Sequence, residues 1–188
     1  MIAKLGANGW EAYPNQVQRQ RVDQGQIGFW QGWQFRTYLE LNIPVAGPAV
    51  CTRFTSLANF ILRVQSLELT QGALRLEVFT GAVTPSGTWT PVPTFGVNRM
   101  TGRTAQVTPY VSQVTFETGG QFTDGTPVDL LLTRCAAQNS GAQNVGAESP
   151  ERGLPAGVYY ARISTITGGL AVNDPGQGSY SLLWEEQP

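Results

Sequence analysis

From residue 34 onward apolar and polar residues take turns. Phe35, Thr37, Leu39, Leu41 and Ile43 alternate with Gln34, Arg36, Tyr38, Glu40 and Asn42. A two-residue period places one set on each face of a pleated strand, so the segment predicts a half-buried strand. Pro44 to Pro48 breaks the run, and Ala49 to Phe54 starts another. Phe60, Leu62 and Val64 then alternate with Arg63 and Gln65, and Leu74, Leu76 and Val78 with Arg75 and Glu77. The Gln71-Gly72 pair between these runs reads as a hairpin turn. Val111 to Phe116, Val128 to Cys135, Val158 to Ile166 and Tyr180 to Glu186 are further strand candidates. Thr118-Gly119-Gly120, Asp124-Gly125, Thr167-Gly168-Gly169 and Asp174-Pro175-Gly176 supply turn chemistry between them.

About eight strands with almost no 3.6-residue period predict an all-β chain. Long, irregular connections favour a two-sheet sandwich with Greek-key wiring, jelly-roll-like, over an up-and-down barrel with short regular turns. The Pro/Gly/Thr stretch from Gly81 to Thr108, which holds Trp89, Phe95 and Met100, is long enough to be functional or to conceal short strands. Ala136 to Pro155 is small, polar and expected to be a surface loop. Trp33 opens the first strand and Trp184 lies in the last, where burial in the sandwich core is expected.

Residues 1–31 differ from the 32–188 body. They hold six glutamines from Gln16 to Gln31, with Arg19 and Arg21 among them, and no sustained period. Such a segment buries too little apolar surface to offset its own ordering entropy. Yet Trp10, Tyr13, Phe29 and Trp30 lie in it. Large aromatics on a polar, non-periodic segment suggest an extended arm whose anchors dock elsewhere, on the parent domain or on a neighbouring chain.

Composition narrows the chemistry. The 188 residues carry 12 Lys+Arg, 13 Asp+Glu and no His, and only 13% are charged. A net charge of -1 with Lys4 the only lysine argues against nucleic acid, whose phosphates need clustered bases. No apolar run approaches the ~20 residues of a membrane helix, and the first residues lack the apolar stretch of a signal peptide. Without histidine, Ser-His-Asp and Cys-His catalysis and His-based metal sites are excluded. Cys51 and Cys135 are far apart with no CxxC partner, and read as reduced, largely buried thiols.

Carboxylates are the remaining acid/base groups. Glu68 and Glu77 could face each other across the Gln71-Gly72 turn, but Glu77 falls on the solvent face beside Arg75, as a cross-strand Arg/Glu pair would. Glu185 and Glu186 are expected to be exposed. Asp124-Gly125 and Asp174-Pro175-Gly176 lack the oxygen-rich spacing of a calcium loop. Gly119-Gly120 and Gly168-Gly169 have no phosphate-loop context. Trp30, Trp33 and Trp89 could stack on sugar rings if they shared an exposed face. No catalytic residue, cofactor or metal ligand emerges.

One constellation carries a family resemblance. Arg152-Gly153-Leu154-Pro155-Ala156-Gly157-Val158-Tyr159-Tyr160 runs into a strand, and Tyr180-Ser181-Leu182-Leu183-Trp184-Glu185-Glu186 closes the chain. TWTPVPTFGVNRMTGR lies between Trp89 and Arg103, followed by TPYVSQVTFETGGQFTDGTPVDLLLTR. In that order, residues 33–188 resemble tailed-bacteriophage virion structural proteins, of the small jelly-roll capsid decoration or cement type. The resemblance implies a non-enzymatic protein on the capsid surface, assembled in the host cytoplasm. Its implied partners are the major capsid protein and copies of itself, as a dimer or trimer. The alternative is a tail or head-fibre attachment component with a carbohydrate-binding sandwich. A neutral surface rich in Gln, Thr, Asn and Gly, and eleven arginines to one lysine, suit such interfaces.

Overall fold

The computed structural model describes residues 27–97, 110–135, 142–145, 152–166 and 175–186. Beyond one helical turn, α1 (Ile27–Trp30), every regular element described is a strand. In chain order these are β1 (Gln34–Ile43), β2 (Val50–Ser56), β3 (Phe60–Gln71), β4 (Ala73–Ser86), β5 (Thr90–Pro91) and β6 (Thr94–Gly96). They continue as β7 (Val114–Thr118), β8 (Gln121–Arg134), β9 (Ala142–Val145), β10 (Arg152–Leu154), β11 (Gly157–Thr165) and β12 (Gly176–Glu186). The first sheet runs β10-β3-β12-β1-β6, with β9 further along β3; the second runs β5-β7-β2-β11-β4-β8. All pairings are antiparallel.

The wiring is that of a jelly roll. The chain alternates between sheets through β1, β2, β3 and β4, runs back along β4 as β8, and alternates again through β9/β10, β11 and β12. The late strands insert between early ones: β12 between β1 and β3, β11 between β2 and β4. The expected all-β sandwich is therefore the observed one, with β5 and β6 added from the stretch between β4 and β7.

Alternation sets the core. Ile43, Leu67, Leu74, Leu76, Ile163 and Trp184 are fully buried between the sheets. Each such side chain contributes ~1.5–3 kcal/mol relative to exposure. Trp184 is the aromatic centre, with Phe54 edge-on at 5.3 Å and Phe35 stacked at 6.1 Å. Trp33 does not join it. It is half-buried ahead of the first ladder pair, its N–H donating to the Gly28 carbonyl at 2.8 Å.

Two turn expectations and one loop expectation are corrected. β3 and β4 lie in different sheets, so Gln71-Gly72 is a corner across the sandwich and not a hairpin. Gly72, at φ 78°, serves the corner. Positive φ suits a corner as well as a turn, so the local signal could not distinguish them. Buried Leu69, Ala73 and Leu74 on both sides of the corner decide for closure over the core. Asp124-Gly125 lies inside β8, and both residues have positive φ, 62° and 95°. The register slips there between Thr80 and Val83, which makes the pair a bulge. Finally, the polar segment from Ala136 to Pro155 includes β9 and β10. The Gly119 turn stands as expected, at φ 96° between β7 and β8.

The β4–β8 ribbon extends past the neighbouring strands and bends at its bulge. Its far end lies over the outer face of the second sheet, where the Phe122 ring packs tilted against Tyr160 at 5.2 Å.

Candidate functional site

The carboxylates expected at an exposed chain end are buried: Glu185 is 7% exposed and Glu186 fully covered. Tyr180, Leu182, Trp184 and Glu186 share one parity of β12, so Glu186 faces inward. Its Oε1 accepts from Ser112 Oγ at 2.5 Å and Trp184 Nε1 at 3.1 Å. Its Oε2 accepts from Tyr110 OH at 2.8 Å and the Gln113 backbone N–H at 2.8 Å. One carboxylate thus fastens the segment leading into β7 to the end of β12. Burial, reinforced by the hydrogen bond to Glu186, pushes the Tyr110 hydroxyl up to about 12.

Glu185 faces the opposite side of the first sheet. It accepts from Gln34 Nε2 at 2.9 Å and pairs with Arg63 at 2.6 Å, joining β1, β12 and β3. α1 covers this cluster. Gly28 is buried so close that a Cβ there would overlap the Glu185 carboxyl group. The two glutamates are structural clamps on opposite faces, and their side chains offer no shared acid/base centre.

The other expected pair is also separated. Glu68 is on β3 of the first sheet and Glu77 on β4 of the second. Glu77 does sit beside Arg75, at 3.3 Å, on the outer face. Arg53 and Glu117, directly opposite on β2 and β7, form a 2.6 Å cross-strand pair. Among the described residues no group of three or more His, Cys, Asp or Glu is arranged to hold a metal ion.

The outer face of the second sheet carries a small aromatic cluster built on Cys51, Tyr160 and Phe122. The Arg162 guanidinium lies over Phe122 at 4.8 Å and Phe79 at 5.1 Å. Trp89 lies edge-on to Tyr160 at 5.9 Å, with Arg53 4.9 Å above its ring. A Cβ at Gly120 would collide with the indole. Trp89 therefore packs into this cluster, half-buried, and is no open stacking platform. Cys51 and Cys135 are both unpaired thiols. Burial pushes the Cys51 thiol up, and Cys135 is half-buried.

The outer face of the first sheet is more open. Strand register places Tyr38 opposite Ser181, and Ser181 opposite Ser66; one step along, Glu40, Ser179 and Glu68 form a parallel row. Small serines over β12 thus leave a trough between larger side chains on β1 and β3. Depressions of about 960 and 630 Å³ share Tyr38, Glu68 and Ser179. Tyr38 is 53% exposed, and Phe95 of β6 is 45% exposed beside Arg36. Sequence reasoning missed these two rings because it sought tryptophans.

A second exposed apolar feature lies on β8, an edge strand of the second sheet. Leu130 and Leu132, opposite Glu77 and Arg75, point outward, and Val128 precedes them at a bulge. All three are about half exposed.

Between the sheets, at the side where β8 faces β10, is a cavity of about 160 Å³. Phe54, Phe60, Leu62, Val78, Phe116 and Leu182 supply most of its apolar wall. Gln65 Nε2 donates to Tyr180 OH at 3.2 Å within it. Arg152 and Asp129 close 2.7 Å apart at its edge.

Of the four arm aromatics, Trp10 and Tyr13 lie outside the described residues. Phe29 and Trp30 are on α1, and Phe29 is half-buried. No helix among the described residues is long and apolar enough to cross a membrane. No family model, curated protein or solved structure matches the chain.

Proposed function

We propose that the chain is a non-enzymatic structural protein of a tailed-phage virion, which decorates and cements the capsid shell through contacts with the major capsid protein and with its own copies. The observation that carries this reading is the half-exposed apolar set Val128, Leu130 and Leu132 on an edge strand of a jelly-roll sheet. Outer strands with apolar side chains are natural templates for association, by strand addition or by burial of the patch. Jelly rolls serve viral capsid domains among others, which is support by analogy of fold. The order of motifs from Trp89 to Glu186 adds the sequence resemblance.

In this reading the aromatics of residues 1–31 add anchors. Burying one large side chain contributes ~1.5–3 kcal/mol, so Trp10 and Tyr13 together outweigh the ordering of only a few residues at ~1–2 kcal/mol each. The backbone of the segment must therefore also gain hydrogen bonds on the shell. The test is co-sedimentation of the purified chain with capsid shells that lack it. Deleting residues 1–26, which spares α1, should leave the far-UV spectrum unchanged and weaken binding about tenfold or more, equivalent to ~1.4 kcal/mol. A charged residue in place of Leu130 should do the same. Unchanged binding by both variants overturns the reading.

The trough on the first sheet favours a second reading, host attachment through a glycan. Tyr38 and Phe95 present exposed rings above a serine floor, with Arg36, Glu40 and Glu68 as polar neighbours. Sugar rings take this combination of stacking faces and hydrogen-bonding groups. A glycan array on wild type and on Tyr38→Ala discriminates: attachment requires a specific signal that the substitution abolishes, and decoration alone gives none.

A further inference from the structure

The cavity between the sheets is a binding site in its own right, and we infer that it takes a single-ring aromatic molecule bearing one hydroxyl group, of the phenol class. This is independent of the capsid reading. Size comes first. At about 160 Å³ it matches an apolar engineered cavity of about 150 Å³ that stays dry and binds benzene. A fused-ring or sugar-sized ligand exceeds that room.

Wall chemistry comes next. Phe54 and Phe116 belong to the second sheet, and Phe60, Leu62 and Leu182 to the first, so a ring placed here contacts both. A void with such walls lacks the dispersion contacts that close packing provides. Water is a poor occupant, because it needs two to four polar partners and the polar groups nearby already serve one another. Gln65 donates to Tyr180, while Asp129 accepts from Arg152 and from the Leu130 backbone N–H.

One polar function remains. The buried Tyr180 hydroxyl accepts from Gln65, which leaves its own proton free to donate to an acceptor oxygen in the cavity. An aromatic hydroxyl supplies that oxygen. An anionic ligand is disfavoured, since Asp129 stands at the mouth with Arg152 already engaged. The Arg152–Asp129 pair spans the sheets from β10 to β8 at the edge of the cavity.

The experiment is methyl-detected NMR of the full chain, titrated with phenol, toluene and glucose. Phenol should give saturable shifts at Leu62, Val78, Ala161 and Leu182, and bind about threefold or more tighter than toluene. Glucose should leave these methyls unmoved. Tyr180→Phe should abolish the preference for phenol while toluene still binds. Val78→Phe should fill the space and weaken phenol at least tenfold; Leu62→Phe does so from the opposite sheet if the first variant fails to fold. The inference is overturned if phenol gives no saturable shift, if its shifts fall instead on exposed Leu130 and Leu132, or if its preference over toluene survives Tyr180→Phe.

Discussion

Replacing Glu186 separates the value of donor direction from that of charge alone. Each carboxylate oxygen receives one hydroxyl and one N–H: Ser112 and the Trp184 indole on Oε1, Tyr110 and the Gln113 amide on Oε2. A hydroxyl can rotate to accept, but an N–H cannot. In Glu186→Gln the new amide NH₂ must occupy one oxygen position, and it opposes an N–H in either orientation. A buried donor left without an acceptor costs ~1–3 kcal/mol, so Glu186→Gln should lose about that much. Glu186→Ala strands both N–H groups and leaves a void, for a total of ~3–6 kcal/mol. For a chain of this size each kcal/mol moves Tm by about 2–4 °C, so the alanine variant should melt about 6–24 °C lower. Urea unfolding followed by Trp fluorescence measures both, and an unchanged slope with a lower midpoint marks a loss of stability alone. Equal losses from the two variants refute the idea that donor direction decides the cost. An alanine variant within ~1 kcal/mol of wild type shows that Glu186 does not clamp the segment before β7.

Stability should fall as pH rises through the window from 10 to about 12, because Tyr110 keeps its proton in the folded state after the unfolded chain has lost it. Tyr110→Phe should flatten that slope, as read from urea midpoints across the alkaline range; an unaltered slope contradicts the assignment. Gly28→Ala should lose ~1–3 kcal/mol by pushing α1 off Glu185, with the strand content by circular dichroism unchanged. Alkylation under native conditions should label Cys135 before Cys51, whose thiol is buried and pushed up. Peptide mapping that finds Cys51 labelled first contradicts the packing of the aromatic cluster around it.

Most of the sandwich was legible in the alternation of residues, and the misread points share a cause. Phe35 to Ile43 shows the period-2 pattern of a sheet with one solvated face, and its inner set is largely buried. Gly72 and Asp124-Gly125 announce unusual backbone, but φ is a local property. Whether the chain turns in-plane, bends or crosses to another sheet depends on contacts far away in sequence. Glu186 could have been found, since it continues the inward parity of Tyr180, Leu182 and Trp184. Charge outweighed parity in that reading, and only the donors of residues 110–113, remote in sequence, make an inward carboxylate affordable. The trough over β12 was hidden for a similar reason. Ser179, Ser181 and Ser66 become a floor only when register aligns β12 with β3, and single-strand patterns carry no register.

The central claim concerns where the chain resides and in how many copies. On the proposed decoration role, quantitative mass spectrometry of tailed-phage particles purified from cells that make this chain, calibrated against labelled peptides of the chain and of the particles' major capsid protein, tests that directly. Decoration predicts a copy number in a simple whole-number ratio to the capsid lattice, retained through density-gradient purification. Absence from purified particles, or only a handful of copies in each, contradicts it.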